Sequence, residues 1–417
     1  MTLIKTSFWT GLSVFIKAFV TFATSKIIAL YTGPVGLALI EQFQNFVQII
    51  RTFSGSLIQF GVIKYVAEHK ENEVVKSRIL SSAAIFCIVV SVLLGCLLII
   101  YSTEIAQIIL QSPYYANAIK IFAISIILFS LNSFFLAILN GEQEIKKLVS
   151  CNIANTIISF LLTTYLIIYY GIYGGFIALV CNQSIVFFFT LFLLLRCQWF
   201  SLRTFFKGID LDSLSKLITY AFITIISTLV VPLSQIIVRN YVAQSFSWEE
   251  AGYWQGMMKL SNNYFILVDA TLGVYYLPKL AGIQLVSELK KEIFSCYRFL
   301  LPLAILVTCI LFIFRKQIVI IFFSTQFLPM LFMFKYQLIG DVARIGAWIL
   351  SYIMIAKKLV KPLIVTEMSF LFFYPTTTII FTHYYGLIGT AMGFAVSYLL
   401  YWMIMSSFIL RYFRKIS

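Results

Sequence analysis

Two polar stripes run through otherwise apolar segments of this chain. In the first, Glu41, Gln44, Gln48, Arg51, Gly55 and Gln59 recur every three or four residues with Asn45 beside them; Gln255, Lys259, Asn262, Asp269 and Gly273 form the second. That period puts each set on one helical face. Neighbouring apolar segments carry Lys17, Lys26, Lys120, Arg239, Asp341, Arg344 and Glu367. A charge at a bilayer centre costs between about 2.5 and over 10 kcal/mol, so such groups turn away from lipid. They either hydrogen-bond between helices inside a bundle or line a water-filled cavity that touches a passenger. The length, charge and duplication of the stripes favour the cavity. Its candidate substrate-binding cations are Lys17, Lys26, Arg51, Arg239, Lys259 and Arg344, and its candidate coupling or cavity acids are Glu41, Asp269, Asp341 and Glu367.

The surplus of cations suits an anionic headgroup such as phosphate or pyrophosphate, which Arg grips bidentately and Lys meets as a point charge. Lys26 and Arg239 lie nearer helix ends, where snorkelling to the lipid headgroups serves equally well as an explanation. Asp341 and Arg344 stand at i and i+3, a spacing that permits an ion pair on one helix face, either structural or coupling. Asp269 and Glu367 have no such neighbour and are candidates to bind a coupling H+ or Na+. Trp254, Tyr264, Tyr275, Tyr276 and Trp348 share these segments; flat rings stack on sugars, although most membrane aromatics pack or belt the interface.

No catalytic motif is present: no Walker A, no G-x-S-x-G, no H-E-x-x-H. Cys87, Cys96, Cys151, Cys181, Cys197, Cys296 and Cys309 form no C-x-x-C pair and no cluster with His, so no metal or cofactor is expected. His69 and His383 fall outside the apolar segments. With no ATPase motif, an ion gradient, the membrane potential or a substrate gradient must supply the energy.

The elements that position these residues follow from composition. The 417 residues are 61% hydrophobic and 11% charged, with a mean hydropathy of +0.96, against about 45–50% and about 25% in a soluble domain. The apolar runs are long enough for helices of about 20 residues and do not alternate as barrel strands do. About twelve transmembrane spans are predicted, near 7–31, 37–63, 79–101, 116–139, 149–169, 175–196, 217–240, 253–278, 297–314, 335–356, 363–381 and 390–411. The amphipathic stretches 102–115 and 315–334 are predicted to lie along the interface. The first span lacks a cleavage pattern and reads as a retained helix.

Net charge is +15, which in a soluble protein would suggest nucleic acid. Location removes that reading. Most of the Lys and Arg lie in segments on one side (64–78, 146–147, 196–216, 279–298, 357–361 and 411–417), whereas the opposite segments hold only Arg315, Lys316 and Lys335. The positive-inside rule therefore places both termini in the cytoplasm.

The halves repeat at an offset of about 215 residues. Tyr169-Tyr170-Gly171-Ile172-Tyr173-Gly174 matches Tyr384-Tyr385-Gly386-Leu387-Ile388-Gly389, Gly33-Pro34-Val35-Gly36 corresponds to Glu249-Glu250-Ala251-Gly252, and Lys259 falls on Gln44. Six spans per half make the repeat parallel, with a pseudo-twofold axis along the membrane normal. The expected domains are an N-terminal six-helix lobe (1–200), a basic cytoplasmic linker (201–216) and a C-terminal six-helix lobe (217–417), the lobes facing a central cavity.

Gly33-Pro34-Val35-Gly36-Leu37, Ile63-Lys64-Tyr65-Val66-Ala67, Trp248 through Gly256, Val274-Tyr275-Tyr276-Leu277-Pro278 and Gln337-Leu338-Ile339-Gly340-Asp341 together resemble the O-antigen and lipid III flippases of the multidrug, oligosaccharidyl-lipid and polysaccharide exporter superfamily. The resemblance covers essentially the whole chain and rests on order and spacing. It implies a multi-pass bacterial inner-membrane translocase with two six-helix lobes in a V. Its passenger would be an undecaprenyl-pyrophosphate-linked oligosaccharide unit, carried from the cytoplasmic to the periplasmic leaflet by alternating access, with polysaccharide polymerase machinery as a partner. By that resemblance Lys17, Lys26, Arg239 and Arg344 are the pyrophosphate cations, with Asp341 and Glu367 as matching acids; Glu41, Arg51, Lys259 and Asp269 are individual to this chain. A multidrug antiporter of the same superfamily is the competing reading, disfavoured because cationic drugs want an acidic cavity. A membrane polymerase or ligase would need a large outer loop that the sequence lacks.

Overall fold

The computed structural model describes residues 3–416 except 71, 198, 202–204, 206, 219 and 220, so part of the basic stretch 201–216 lies outside the described residues. Among those described there is no strand. The helices are α1 (Leu3–Arg51), α2 (Leu57–Glu68), α3 (Glu73–Ile100), α4 (Ser102–Leu110), α5 (Ala116–Gly141), α6 (Ile145–Leu195), α7 (Leu211–Ile218), α8 (Ala221–Ser245), α9 (Trp248–Thr271), α10 (Leu277–Gly282), α11 (Val286–Ile313), α12 (Arg315–Phe322), α13 (Phe334–Ala356), α14 (Val360–Tyr385) and α15 (Ile388–Ile416). Single π turns, Thr52–Ser56 and Leu272–Tyr276, join α1 to α2 and α9 to α10.

Among the described residues, eight helical stretches are long and apolar enough to cross a bilayer. Two of them, Val14–Glu68 and Ile145–Leu195, run to 55 and 51 residues, more than twice the roughly 20 that one crossing takes. Each turns at a glycine in a conformation that L side chains rarely adopt: Gly33 (φ 64°, ψ −168°) and Gly171 (φ 58°, ψ −136°). Pro34 restarts the helix after Gly33, because its missing N–H and fixed φ suit a first helical position. Helix α9 is too polar to count among the eight, yet from Ala251 to Met258 it is buried all round. Among the described residues the predicted spans fall on helices, with π turns inside those at 37–63 and 253–278, while residues 219 and 220 of the span 217–240 lie outside the described residues; the stretches 102–115 and 315–334 form the short helices α4 and α12 with the 3-10 turns Pro113–Tyr115 and Thr325–Met333.

The chain packs into two compact units, one of Met1–Val20 and Leu39–Pro232, the other of Thr21–Ala38 and Leu233–Ser417. The boundaries between the units fall inside α1 and α8. Thr21–Ala38 packs with the second unit because it meets that unit's α12 through side chains and its α9 through the Pro34 backbone. The Phe22 and Phe322 rings are 4.3 Å apart, Lys26 Nζ donates to Ile320 O at 2.6 Å, and Gly252 lies so close against Pro34 that a Cβ would overlap it.

The repeat is visible in backbone detail inside each unit. Gln143 (φ 60°) and Lys358 (φ 55°), 215 positions apart, end α5 and α13 in the left-handed conformation. Glu144 N donates to Leu139 O at 2.9 Å and Leu359 N to Met354 O at 2.8 Å, the same closing bond of a helix C-cap. Gly171 and Gly386 (φ 65°) form a second pair. Three residues after each, a Cβ on Gly174 or Gly389 would overlap the carbonyl of Leu166 or Phe381. Gly386→Ala forces a side chain into φ 65°, ψ −154°, which costs about 1–3 kcal/mol. Thermal unfolding in detergent should show the loss, whereas Gly282→Ala, where an added Cβ meets nothing within 4 Å, should unfold like the parent.

Candidate functional site

In the second unit, α9, α13 and α15 converge on Arg344. Its Nη1 donates to Asn262 Oδ1 at 2.8 Å, and its guanidinium carbon stands 4.1 Å from the Phe265 ring, 4.6 Å from Trp348 and 5.6 Å from Tyr398. Its Nε is buried with no hydrogen-bond partner among the described residues. One turn earlier on α13, Asp341 is wholly buried, with one oxygen accepting from Ser261 Oγ and the other from Tyr264 OH. The i, i+3 pair allowed by the sequence is thus replaced by two separate attachments to α9. Ser261, Asn262 and Tyr264 are close enough in sequence to hold both residues from a single turn. Asp341 is therefore a positioning residue that fixes α13 on α9, and Arg344 keeps donor capacity to spare.

Arg239 on α8 is also fully enclosed; its Nη2 donates to Gln255 Oε1 at 2.5 Å and its guanidinium lies 5.4 Å from the Trp254 ring. Lys26 donates to a carbonyl in the last turn of α12, where helix C=O groups lack partners within the helix and a cation is favoured. Asp269 is exposed and accepts from Tyr352 OH at 2.6 Å, and Glu367 is half-buried and accepts from Tyr401 OH at 2.9 Å. Lys259 is half-buried on α9.

In the first unit, Arg51 closes α1 immediately before the π turn Thr52–Ser56. Its guanidinium sits 3.7 Å over the Phe129 ring, and its Nε is buried with no hydrogen-bond partner among the described residues. The π turn brings α1 against α5: Ser130 Oγ donates to Ser54 O at 2.7 Å, and a Cβ on Gly55 would come within 2.7 Å of Ser130 Oγ. Such turns widen a helix by one residue and re-aim the side chains beside them. Ring contact alone offsets about 0.5–2 kcal/mol, less than the cost of the charge in the bilayer. Glu41 is 9% exposed and Lys17 is exposed.

The structure thus gathers Asp341 and Arg344 around one turn of α9, joins Arg239 to the same helix farther along, brings Glu367 near Arg344 through the contacting rings of Tyr401 and Tyr398, and gives Lys26, Arg51 and Asp269 separate surroundings. Charge-based reading missed a network of amides in the first unit. Asn132 Nδ2 donates to Gln183 Oε1 at 2.6 Å, while Gln183 Nε2 and Asn182 Nδ2 donate to Asn155 Oδ1 at 3.1 and 3.0 Å. All four residues fall inside predicted spans, so a search for uncharged amides in apolar runs would have found them. Tyr398 and Tyr401 were equally invisible, since nothing in their local sequence separates them from belt aromatics.

Residues 3–278 match the family described as polysaccharide biosynthesis protein. The lipid III flippase of Escherichia coli (strain K12) is 24% identical over 407 residues, covering 96% of either chain. Among solved structures, an inward-facing conformation of a multidrug resistance MATE family transporter of the MOP superfamily superposes with a TM-score of 0.80 at 13% identity, over 97% of this chain and 99% of that one. The lipid II flippase MurJ in an inward closed conformation does so with a TM-score of 0.73 at 16% identity, over 99% and 90%. These likenesses establish the all-helical, multi-pass fold.

Proposed function

Because the chain belongs to the polysaccharide biosynthesis protein family, we propose that it is a flippase for an undecaprenyl-pyrophosphate-linked oligosaccharide unit of an O-antigen or related surface polysaccharide. It carries the unit from the cytoplasmic to the periplasmic leaflet of a bacterial inner membrane by alternating access, with both termini cytoplasmic. The observation that carries this reading is Arg51: a guanidinium inside the membrane that lies over an aromatic ring with its Nε unpartnered among the described residues. Such a cation calls for an anion from outside the protein, and a pyrophosphate presents oxygens in the geometry that guanidinium matches. Arg344, caged by rings and bonded once, offers the same chemistry in the second unit. The flippase relative supports the passenger class. Polysaccharide polymerase machinery would consume the delivered units.

Deletion in the native host separates this function from its competitors. The flippase reading predicts loss of surface glycan and accumulation of single lipid-linked units, with unchanged drug accumulation. Short glycan still delivered outward would indicate a polymerase, and altered drug accumulation with normal glycan would indicate a multidrug antiporter. We assign coupling to H+ or Na+ through Asp269 and Glu367, the acids held by single tyrosine hydroxyls. Transport in vesicles should then respond to an imposed gradient of one of the two ions; indifference to both removes the coupling.

A further inference from the structure

A groove of about 660 Å³ opens between α11, α13 and α15 of the second unit, and neither Asp341 nor Arg344 lines it. Ile305 and Phe312 wall it from α11, Leu338 and Val342 from α13, Leu399 and Trp402 from α15. Trp402 can sit there because Gly346 has no side chain: a Cβ would come within 2.5 Å of the indole. The indole Nε1 already donates to Tyr297 OH at 3.0 Å, and the Thr308 hydroxyl to Ile305 O at 2.9 Å. The trough therefore offers hydrocarbon and almost no free hydrogen-bonding capacity.

Its two ends differ. Lys335, exposed in the first turn of α13, lines the groove at one end. At the same end Arg315 donates to Phe312 O at 2.8 Å and holds its guanidinium 4.4 Å from the Phe312 ring. No acid lines the groove. From Ile305 to Ile313 the helix rises about 12 Å, close to the roughly 15 Å depth of one leaflet's hydrocarbon. The volume lies within the roughly 300–1,000 Å³ typical of sites for small molecules.

We propose that this groove binds an anionic phospholipid of the phosphatidylglycerol class, with one acyl chain in the trough and the phosphate against Arg315 and Lys335. Bulk lipid solvates any apolar surface, so the content of the proposal is a headgroup preference. The two cations favour a net negative headgroup, and the absence of an acid leaves the ammonium of phosphatidylcholine without a partner.

The test uses the full chain in bilayers of phosphatidylcholine containing a small fraction of lipid with brominated acyl chains, which quench a tryptophan on contact. The Trp402 component is isolated by subtracting the Trp402→Phe protein. Brominated phosphatidylglycerol should reach half-maximal quenching at a mole fraction about fivefold or more below that of brominated phosphatidylcholine. Arg315→Glu with Lys335→Glu should make the two lipids equal, and Val342→Phe, which fills the trough and keeps the cations, should weaken quenching by both. Native mass spectrometry of the unaltered protein should likewise retain phosphatidylglycerol over phosphatidylcholine. Equal quenching and equal retention in the unaltered protein overturn the proposal. Displacement of the phosphatidylglycerol by equimolar undecaprenyl pyrophosphate also overturns it, assigning the groove to the passenger's tail instead.

Discussion

Replacing Arg51 with alanine should lower transport of the lipid-linked oligosaccharide by about 10- to 100-fold, since hydrogen bonds to a charged group contribute roughly 1.5–3 kcal/mol and each 1.4 kcal/mol is tenfold. The protein should remain as stable as the parent. The Arg51 Nε is buried with no hydrogen-bond partner among the described residues, and removing a membrane-embedded charge whose contact is the Phe129 ring relieves a desolvation cost. Arg51→Lys keeps the charge but loses the planar fork and the stacked ring, so it should fall between parent and alanine. Surface glycan display in the host, with protein amount and melting temperature measured in parallel, separates loss of the site from loss of the fold. An alanine protein that displays glycan at the parental level would remove Arg51 from the site.

The second large effect is on stability. Lys76 Nζ and Glu142 Oε1 are 2.9 Å apart, joining the start of α3 to the end of α5, with side chains only 11% and 4% exposed. Breaking a buried pair by deleting one member leaves the other charge without compensation and costs about 3–5 kcal/mol. Glu142→Ala should therefore lower the unfolding midpoint markedly. The apolar replacement Lys76→Met with Glu142→Leu should recover most of the loss, because two desolvation costs vanish with the one attraction. If the single variant unfolds like the parent, the pair contributes nothing to the fold. If the double variant is no better than the single, packing rather than charge holds this corner.

Much of the architecture was legible because the bilayer imposes it. Apolar runs of the right length had to become helices, and the matched punctuation Tyr169-Tyr170-Gly171 and Tyr384-Tyr385-Gly386 marked two glycines that share a backbone conformation. The packing of Thr21–Ala38 with the second unit was not legible, because hydropathy records that a segment is in the membrane and says nothing of its neighbours. Lys26 shows the same limit: its apolar surroundings are plain in the sequence, but its bond to Ile320 O joins residues 294 apart. The spacing of Asp341 and Arg344 allowed a pair within one helix, yet each is held by residues of another helix, Asp341 by Ser261 and Tyr264 and Arg344 by Asn262. Arg51 stands out in the sequence by its place in a periodic stripe, whereas the π turn beside it leaves no local signature beyond Gly55.

Reconstitution tests the central claim most directly. Purified protein is placed in liposomes whose inner leaflet carries an undecaprenyl-pyrophosphate-linked oligosaccharide, and arrival of the sugar outside is read with a membrane-impermeant glycosidase. The parent protein should expose the sugar well above the rate of empty liposomes, and Arg51→Ala and Arg344→Ala, equally well inserted and folded, should each expose it far more slowly. Exposure by the parent no faster than in empty liposomes, or at one rate for all three proteins, would contradict a cation-guided flippase.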